Sequence, residues 1–283
     1  MEKMMFVSMS IWLFIGIVLI AAGCEFVDSS IGMGYSTLLS PLLLGIGFDP
    51  LFFIPAVLIT QAVGGLAASI FHQTNRNVSF TRKSKDSKIF LVVAVPGVVA
   101  IIFAAILALN LPKLILSTCI GALVIALGII ILLHFRFNFT YKGMIGVGLL
   151  SAFVEGIAGC GFGPIVTSGQ IISGHNLKRA VGVTTSAEVP ICVTGFISYI
   201  VIKLIQYNET PLFSRRFGEI ISIIFSRSII SWDLVVALLI GVILVAPFGP
   251  LLTKKIGKKK WHYVLGPLII ALGVWVLIKT HLL

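Results

Sequence analysis

Hydrophobic residues run through this chain in long blocks, and charged residues gather at the joints between them. The longest blocks are Met9–Val27, Leu51–Phe71, Ile89–Leu109, Leu114–His134, Ala180–Ile202, Ile229–Leu252 and Val264–Ile278. Most reach the roughly 20 apolar residues that a helix needs to cross the hydrocarbon core of a bilayer. Met144–Ala158 is shorter and continues into a Gly-rich apolar stretch. Runs of this length predict transmembrane helices.

Two of the runs are interrupted in the same way. Gly32-Met33-Gly34 follows the acids Glu25 and Asp28, and Gly161-Phe162-Gly163-Pro164 follows Glu155. After each interruption comes a short apolar segment ending in Gly and a polar residue, Gly47-Phe48-Asp49 or Gly174-His175-Asn176. A long run with a polar residue near its centre follows, Gln61 in one case and Glu188 in the other. Gly47 meets Gly174, and Gln61 meets Glu188, at a common offset of 127 positions. Features repeated in order at one spacing are the mark of internal duplication, which predicts an N-terminal repeat over 1–138 and a C-terminal repeat over 139–283.

The interruptions have a physical reading. A Gly costs a helix about 1 kcal/mol relative to Ala and opens positive φ, while Pro41 and Pro164 remove backbone donors nearby. Unwound backbone at membrane depth is tolerated only where it is buried in protein or lines a polar cavity. Broken helices at matching places in two halves therefore point to a transporter site near the midplane. Small-residue helix packing is the plainer use of glycine in membranes, but acids accompany both clusters here. The expected fold is an all-α polytopic membrane protein of eight to ten transmembrane segments in two homologous halves, each with a Gly-rich broken helix. Four spans per half would make the halves run the same way; five would invert them, and the short broken segments favour the inverted repeat.

Composition narrows the class. Hydrophobic residues make up 58% of the 283 and charged ones 11%, with a mean hydropathy of +1.11, so lipid must face most of the surface. The net charge of +11 does not indicate nucleic acid, because the basic residues sit between spans. Arg76, Arg82, Lys83, Lys85 and Lys88 fill one joint, and Lys254, Lys255, Lys258, Lys259 and Lys260 another. Such clusters mark the cytoplasmic side and meet anionic headgroups. The four cysteines lie in apolar surroundings without metal-ligand spacing, and read as small buried residues. His72, His134 and His175 lie near span ends, where an interfacial position is expected. Tyr207–Arg227 mixes Arg215, Arg216 and Glu219 with apolar residues, which suits an amphipathic interfacial helix or a short loop helix packed under the bundle.

At the two Gly-rich segments the chain resembles the sulfite exporter TauE/SafE family of membrane transporters. The likeness is carried by Glu25-Phe26-Val27-Asp28-Ser29-Ser30-Ile31-Gly32-Met33-Gly34-Tyr35, by Pro41-Leu42-Leu43-Leu44 and by Pro55-Ala56-Val57-Leu58. Glu155-Gly156-Ile157-Ala158-Gly159, Gly161-Phe162-Gly163-Pro164 and Lys178-Arg179-Ala180-Val181-Gly182 answer them in the second half. Relatives often carry a fuller Gly-Gly-Gly run, which Met33 and Tyr35 interrupt here, as does Phe162. The resemblance implies transport of a small anion, a sulfur oxyanion or organosulfonate such as sulfite, driven by an ion gradient in the plasma membrane of a prokaryote.

An anion leaving water needs donors in place of its hydration shell. Amides freed at a break and the positive end of a helix dipole supply them without a full charge. Gly32, Gly34, Gly161 and Gly163 would permit close backbone approach, and Tyr35, Ser36, Thr37, Thr167, Ser168 and Gln170 offer side-chain donors. Each hydroxyl also has the option of bonding its own helix carbonyl. With Gln61 and Glu188, these make the candidate substrate site. Intramembrane acids are functional candidates by default, so Glu25, Asp28, Glu155 and Glu188 are the candidate proton-coupling groups. The expected partners are a small anionic substrate, protons and the bilayer. No cofactor, metal or nucleic acid is expected. An enzyme would want HExxH, Gly-x-Ser-x-Gly or paired intramembrane His, none of which appears. An anion channel and a non-transporting receptor or scaffold are the competing readings.

Overall fold

The computed structural model describes residues 9–81, 84–133, 140–207, 217–226, 229–253 and 261–282. Among the described residues all regular structure is helical: α1 (Ile11–Ile31), α2 (Tyr35–Ile46), α3 (Pro50–Thr74), α4 (Lys85–Asn110), α5 (Lys113–Leu133), α6 (Tyr141–Ala158), α7 (Phe162–Ile172), α8 (Leu177–Tyr207), α9 (Phe217–Ile224), α10 (Trp232–Val245), α11 (Gly249–Leu252) and α12 (Trp261–Leu282). Among the described residues, eight segments are long and apolar enough to cross a bilayer: α1, α3, α4, α5, α6, α8, α12 and the Trp232–Leu252 stretch that joins α10 to α11. Arg82, Lys83, His134, Arg215, Arg216, the basic cluster at 254–260 and the expected boundary at 138/139 lie outside the described residues.

Caps fix where these helices begin. Ser10, Ser84 and Thr140 each accept a backbone N–H from the first turn of α1, α4 and α6, which satisfies one of the otherwise orphaned donors. Asp49 does the same for α3, and Pro50 follows it, where its missing N–H costs nothing. The first span extends past the apolar block that ends at Val27 and takes in Asp28, because α1 stops only at Gly32.

α2 and α7 differ from the rest. With 12 residues rising about 1.5 Å each, α2 covers roughly 18 Å, well short of the hydrocarbon core of about 30 Å. It starts against the middle of α3, where the Tyr35 hydroxyl meets Thr60 Oγ1 at 2.7 Å, and ends at the turn into Pro50. α7 lies likewise along the first turns of α8, with Gln170 donating to Ala180 O at 3.3 Å and to Thr184 Oγ1 at 2.9 Å.

The packing relates early helices to late ones. α3 and α8 run antiparallel: Lys203 reaches Leu51 O at 2.6 Å, Gln61 meets Glu188 at 2.5 Å and Ser69 meets Ser186 at 2.6 Å. α5 and α12 also run antiparallel, on glycines. A Cβ on Gly128 would come within 2.9 Å of Gly266 O, and one on Gly273 within 2.9 Å of Gly121 O. α6 instead lies parallel to α4, with Gly148 on Val93 and Gly156 on Ile101, and α1 lies parallel to α10, with Gly241 on Val18 and Ala22. Small residues allow this backbone approach, the usual device where lipid supplies no hydrophobic drive between helices. α9 is tied to the start of α10, where Trp232 Nε1 donates to Ile224 O at 2.9 Å and Phe225 stacks on the indole.

Candidate functional site

The site grows from two helix junctions. α1 ends at Gly32, whose φ of 74° and ψ of 28° form a left-handed cap with its N–H on Asp28 O at 2.5 Å. α6 ends at Gly159, with φ 60°, ψ 30° and its N–H on Glu155 O at 2.7 Å. That left-handed conformation favours glycine, and it folds the following amides back over the helix end. Gly34 N–H then donates to Asp28 Oδ1 at 2.8 Å, and Phe162 N–H donates to Glu155 Oε2 at 2.9 Å. Each carboxylate thus sits at the N-terminus of a short helix, where the backbone dipole favours negative charge.

The junctions are also bonded to each other. Ser40 Oγ of α2 donates to Gly159 O, and Thr167 Oγ1 of α7 donates to Gly32 O at 2.9 Å. Ser36 Oγ reaches Glu155 Oε2 at 3.4 Å. A Cβ on Gly163 would lie 2.7 Å from Gly32 O and 3.4 Å from Asp28 Oδ1, so only glycine lets α7 approach this closely. At the α3–α8 crossing, Gln61 Nε2 donates to Glu188 Oε1 at 2.5 Å, and the Gln61 amide interacts with Glu155 as well. Asp28, Glu155 and Glu25 all lie within electrostatic range of Glu188.

The candidates therefore separate into groups. Gly34, Ser36, Gln61, Gly163, Thr167 and Glu188 converge with Asp28 and Glu155 around the junctions, and Gly32 and Gly161 provide the turns. Glu25 is buried on α1 against Gly64, whose added Cβ would lie 2.8 Å from its Oε2. Tyr35 is fully buried and turned towards Thr60 of α3. Ser168 is only partly buried, its hydroxyl 4.0 Å from Met33 Sδ. Cys24, Cys160 and Cys192 are free and buried. Among the described residues, no three His, Cys, Asp or Glu side chains converge as metal ligands would.

Sequence reasoning passed over Ser40, Thr184, the Phe162 amide and two tethers. His72, expected at an interface, is buried: its Nε2 lies 3.1 Å from Ser29 O, and its Nδ1 lies 3.0 Å from Asn77 Nδ2. Tyr199 donates to Gly156 O at 2.7 Å. The signal was the 127-position offset itself, which also pairs Asp28 with Glu155, Ser40 with Thr167, Ser29 with Gly156 and His72 with Tyr199.

A family model described as sulfite exporter TauE/SafE matches residues 15–276, nearly the whole chain and both junctions. The chain belongs to the sulfite exporter TauE/SafE family. It is also similar to a protein described as a probable membrane transporter, YtnM of Bacillus subtilis (strain 168), with 23% identity over 267 residues, 90% of this chain and 79% of that protein. No solved structure matches the chain. As a TauE/SafE-type membrane transporter, the protein has a solute path to provide, and Asp28, Glu155 and Glu188 are all buried around the converging junctions.

Proposed function

We propose that this chain is a proton-coupled secondary transporter of a small anion, a sulfur oxyanion or organosulfonate of the sulfite type, and that it works by alternating access around the two junctions. One observation carries the reading: the N-termini of α2 and α7 meet at a single buried place beside four acids, among them Asp28 and Glu155 on the first-turn amides. Helix N-termini are the standard way to hold an anion without a cation. Acids at the same place let protons balance its charge.

The antiparallel pairing of α3 with α8, which correspond at an offset of 127, and of α5 with α12, the last long helix of each half, supports an inverted repeat with the junctions on its axis. The two halves would then rock against each other. Gly32, Gly34, Ser36, Gln61, Gly161, Gly163, Thr167 and Glu188 form the inner substrate shell in this reading, with Tyr35 and Ser168 behind it, and Glu25, Asp28, Glu155 and Glu188 carry protons. The test is flux in proteoliposomes. Sulfite, thiosulfate, sulfoacetate and sulfate are offered with and without an imposed pH gradient. Saturable, trans-stimulated uptake of one of them that follows the gradient is expected. Non-saturating flux would indicate a channel, and no flux of any of them would remove the reading.

A further inference from the structure

Asp28 and Glu155 hold the very amides that an anion would need. Gly34 N–H and Phe162 N–H, the donors that open α2 and α7, are spent on Asp28 Oδ1 and Glu155 Oε2 at 2.8 and 2.9 Å. Single side-chain atoms without a hydrogen-bond partner lie around the same place. Glu155 is fully buried and its Oε1 has no partner. The same holds for Gln61 Oε1 and for Thr37 Oγ1 in the first turn of α2, both nearly fully buried. Orphaned buried polar atoms in a transporter mark positions that a ligand or a proton fills in another state. A proton on Glu155 would supply a donor there, and Thr37 has a hydroxyl to give to an incoming oxygen.

We propose that the first-turn amides of α2 and α7 are two anion seats, that Asp28 and Glu155 occupy them when the substrate is absent, and that a small oxyanion binds by replacing a carboxylate. This rests on the anion-transport reading above and adds the order of events. A substrate anion and an ionised carboxylate compete for one set of N–H donors, and at close range they repel. The displaced carboxyl therefore takes a proton from the solution as the anion enters, and returns to its amide when the anion leaves. The titratable groups in electrostatic range of the two acids bring no positive charge to offset an anion: they are the acids Glu25 and Glu188, the thiols of Cys24, Cys160 and Cys192, and the Tyr35 phenol. Protonation thus becomes the condition for binding, and the molecule inhibits itself at high pH.

The experiment is equilibrium binding of sulfate, thiosulfate and methanesulfonate to purified full-length protein between about pH 5.5 and 8.5, where these probes keep a constant charge and any pH dependence belongs to the protein. Affinity is expected to rise as pH falls, by about tenfold per pH unit for each proton taken up. Asp28→Asn and Glu155→Gln keep an acceptor oxygen for the helix amide, so the junctions remain capped, and thermal melts in detergent check this. Each variant should lower the slope, and the double variant should bind with a flat profile, more tightly than wild type at the alkaline end. A flat profile in wild type, or variants that keep the wild-type slope, would overturn the inference and leave anion transport standing. Failure of every probe to bind either wild type or the double variant would remove the anion reading itself. Binding that appears only in the double variant supports both.

Discussion

The α1–α2 junction and the α6–α7 junction do the same backbone work with partly different side chains. A positive-φ glycine closes each helix, an acid four residues earlier takes the first amides of the next one, and a hydroxyl crosses over to the other junction's glycine carbonyl. The pairs Gly32 with Gly159, Asp28 with Glu155 and Ser40 with Thr167 preserve that chemistry. Elsewhere the junctions part. Gln61 faces Glu188, Tyr35 answers Phe162, and the imidazole of His72 answers the phenol of Tyr199. Both junctions share a positive-φ glycine, an acid on the amides that follow and a crossing hydroxyl; they differ in the side chains around them.

Moving the central acid from one half to the other has the largest expected effect. Gln61 and Glu188 occupy corresponding positions and are hydrogen-bonded at 2.5 Å, so exchanging them shifts a carboxylate by little more than its own length. Glu188→Gln alone should abolish accumulation against a gradient and leave only equilibration of the substrate. Adding Gln61→Glu should restore most of it. Uptake into vesicles with an imposed pH gradient measures both. A double variant as inactive as the single would mean that the C-terminal placement of the acid matters and that the two sides are not interchangeable.

The sequence carried the coarse fold because lipid makes it legible. Blocks of apolar residues located all eight candidate spans, with ends displaced by a few residues where caps such as Ser10 and Asp49 decide the start. Gly47 with Gly174 and Gln61 with Glu188 gave the offset, but the cross-junction bonds stayed hidden. Ser40 and Thr167 look like ordinary helix hydroxyls, whose default is their own backbone carbonyl, and only the folded arrangement turns them outwards. His72 was misplaced for a related reason. Nearness to a span end argues for an interface in a single helix, but Asn77 and the α11 residue Pro250 close over this one, with Asn77 Nδ2 donating to Pro250 O at 3.1 Å.

Next in size is the contrast between the junction glycines and those at the ends of α2 and α7. A Cβ on Gly32 would meet Thr167 Oγ1 at 2.8 Å and Val181 Cα at 3.3 Å, in a φ of +74°. Gly174, with φ +91°, has open space around it. Gly174→Ala should therefore cost the backbone penalty alone, about 1–2 kcal/mol, while Gly32→Ala should add an overpacking cost of about 1–3 kcal/mol. Melting temperatures in one detergent decide this. Equal losses would mean that the junctions are looser than their contacts imply.

The two tethers should differ by less. Asn77 Nδ2 donates to His72 Nδ1, which leaves Nε2 as the protonated nitrogen and the donor to Ser29 O. His72→Phe breaks both bonds and strands a buried amide donor and a carbonyl, at about 1–3 kcal/mol. Tyr199→Phe removes the single hydroxyl on Gly156 O, at about 1 kcal/mol. His72→Gln, which can still donate to Ser29 O, should recover part of the loss. If Tyr199→Phe proved the more harmful of the two, the junction tethers would not be equivalent and the correspondence of His72 with Tyr199 would be coincidental.

The smallest effects belong to the outer ends, where the caps of α3 and α8 correspond. Asp49 Oδ1 accepts Leu51 N–H at 3.0 Å, and Asn176 Oδ1 accepts Lys178 N–H at a longer 3.4 Å. Asp49 also pairs with Lys113 at 2.9 Å, but the lysine side chain is 63% exposed, so water and salt screen the pair. Asp49→Ala should lose about 1 kcal/mol through the cap, and Asn176→Ala less, because its bond is longer. Lys113→Ala should lose under about 0.5 kcal/mol. Transport should be unchanged in all three, since none of these residues approaches Asp28, Glu155 or Glu188. A transport defect in Lys113→Ala with normal melting would relocate part of the mechanism from the buried junctions to this end of the bundle, where Asp49 would then be a partner that opens and closes rather than a cap.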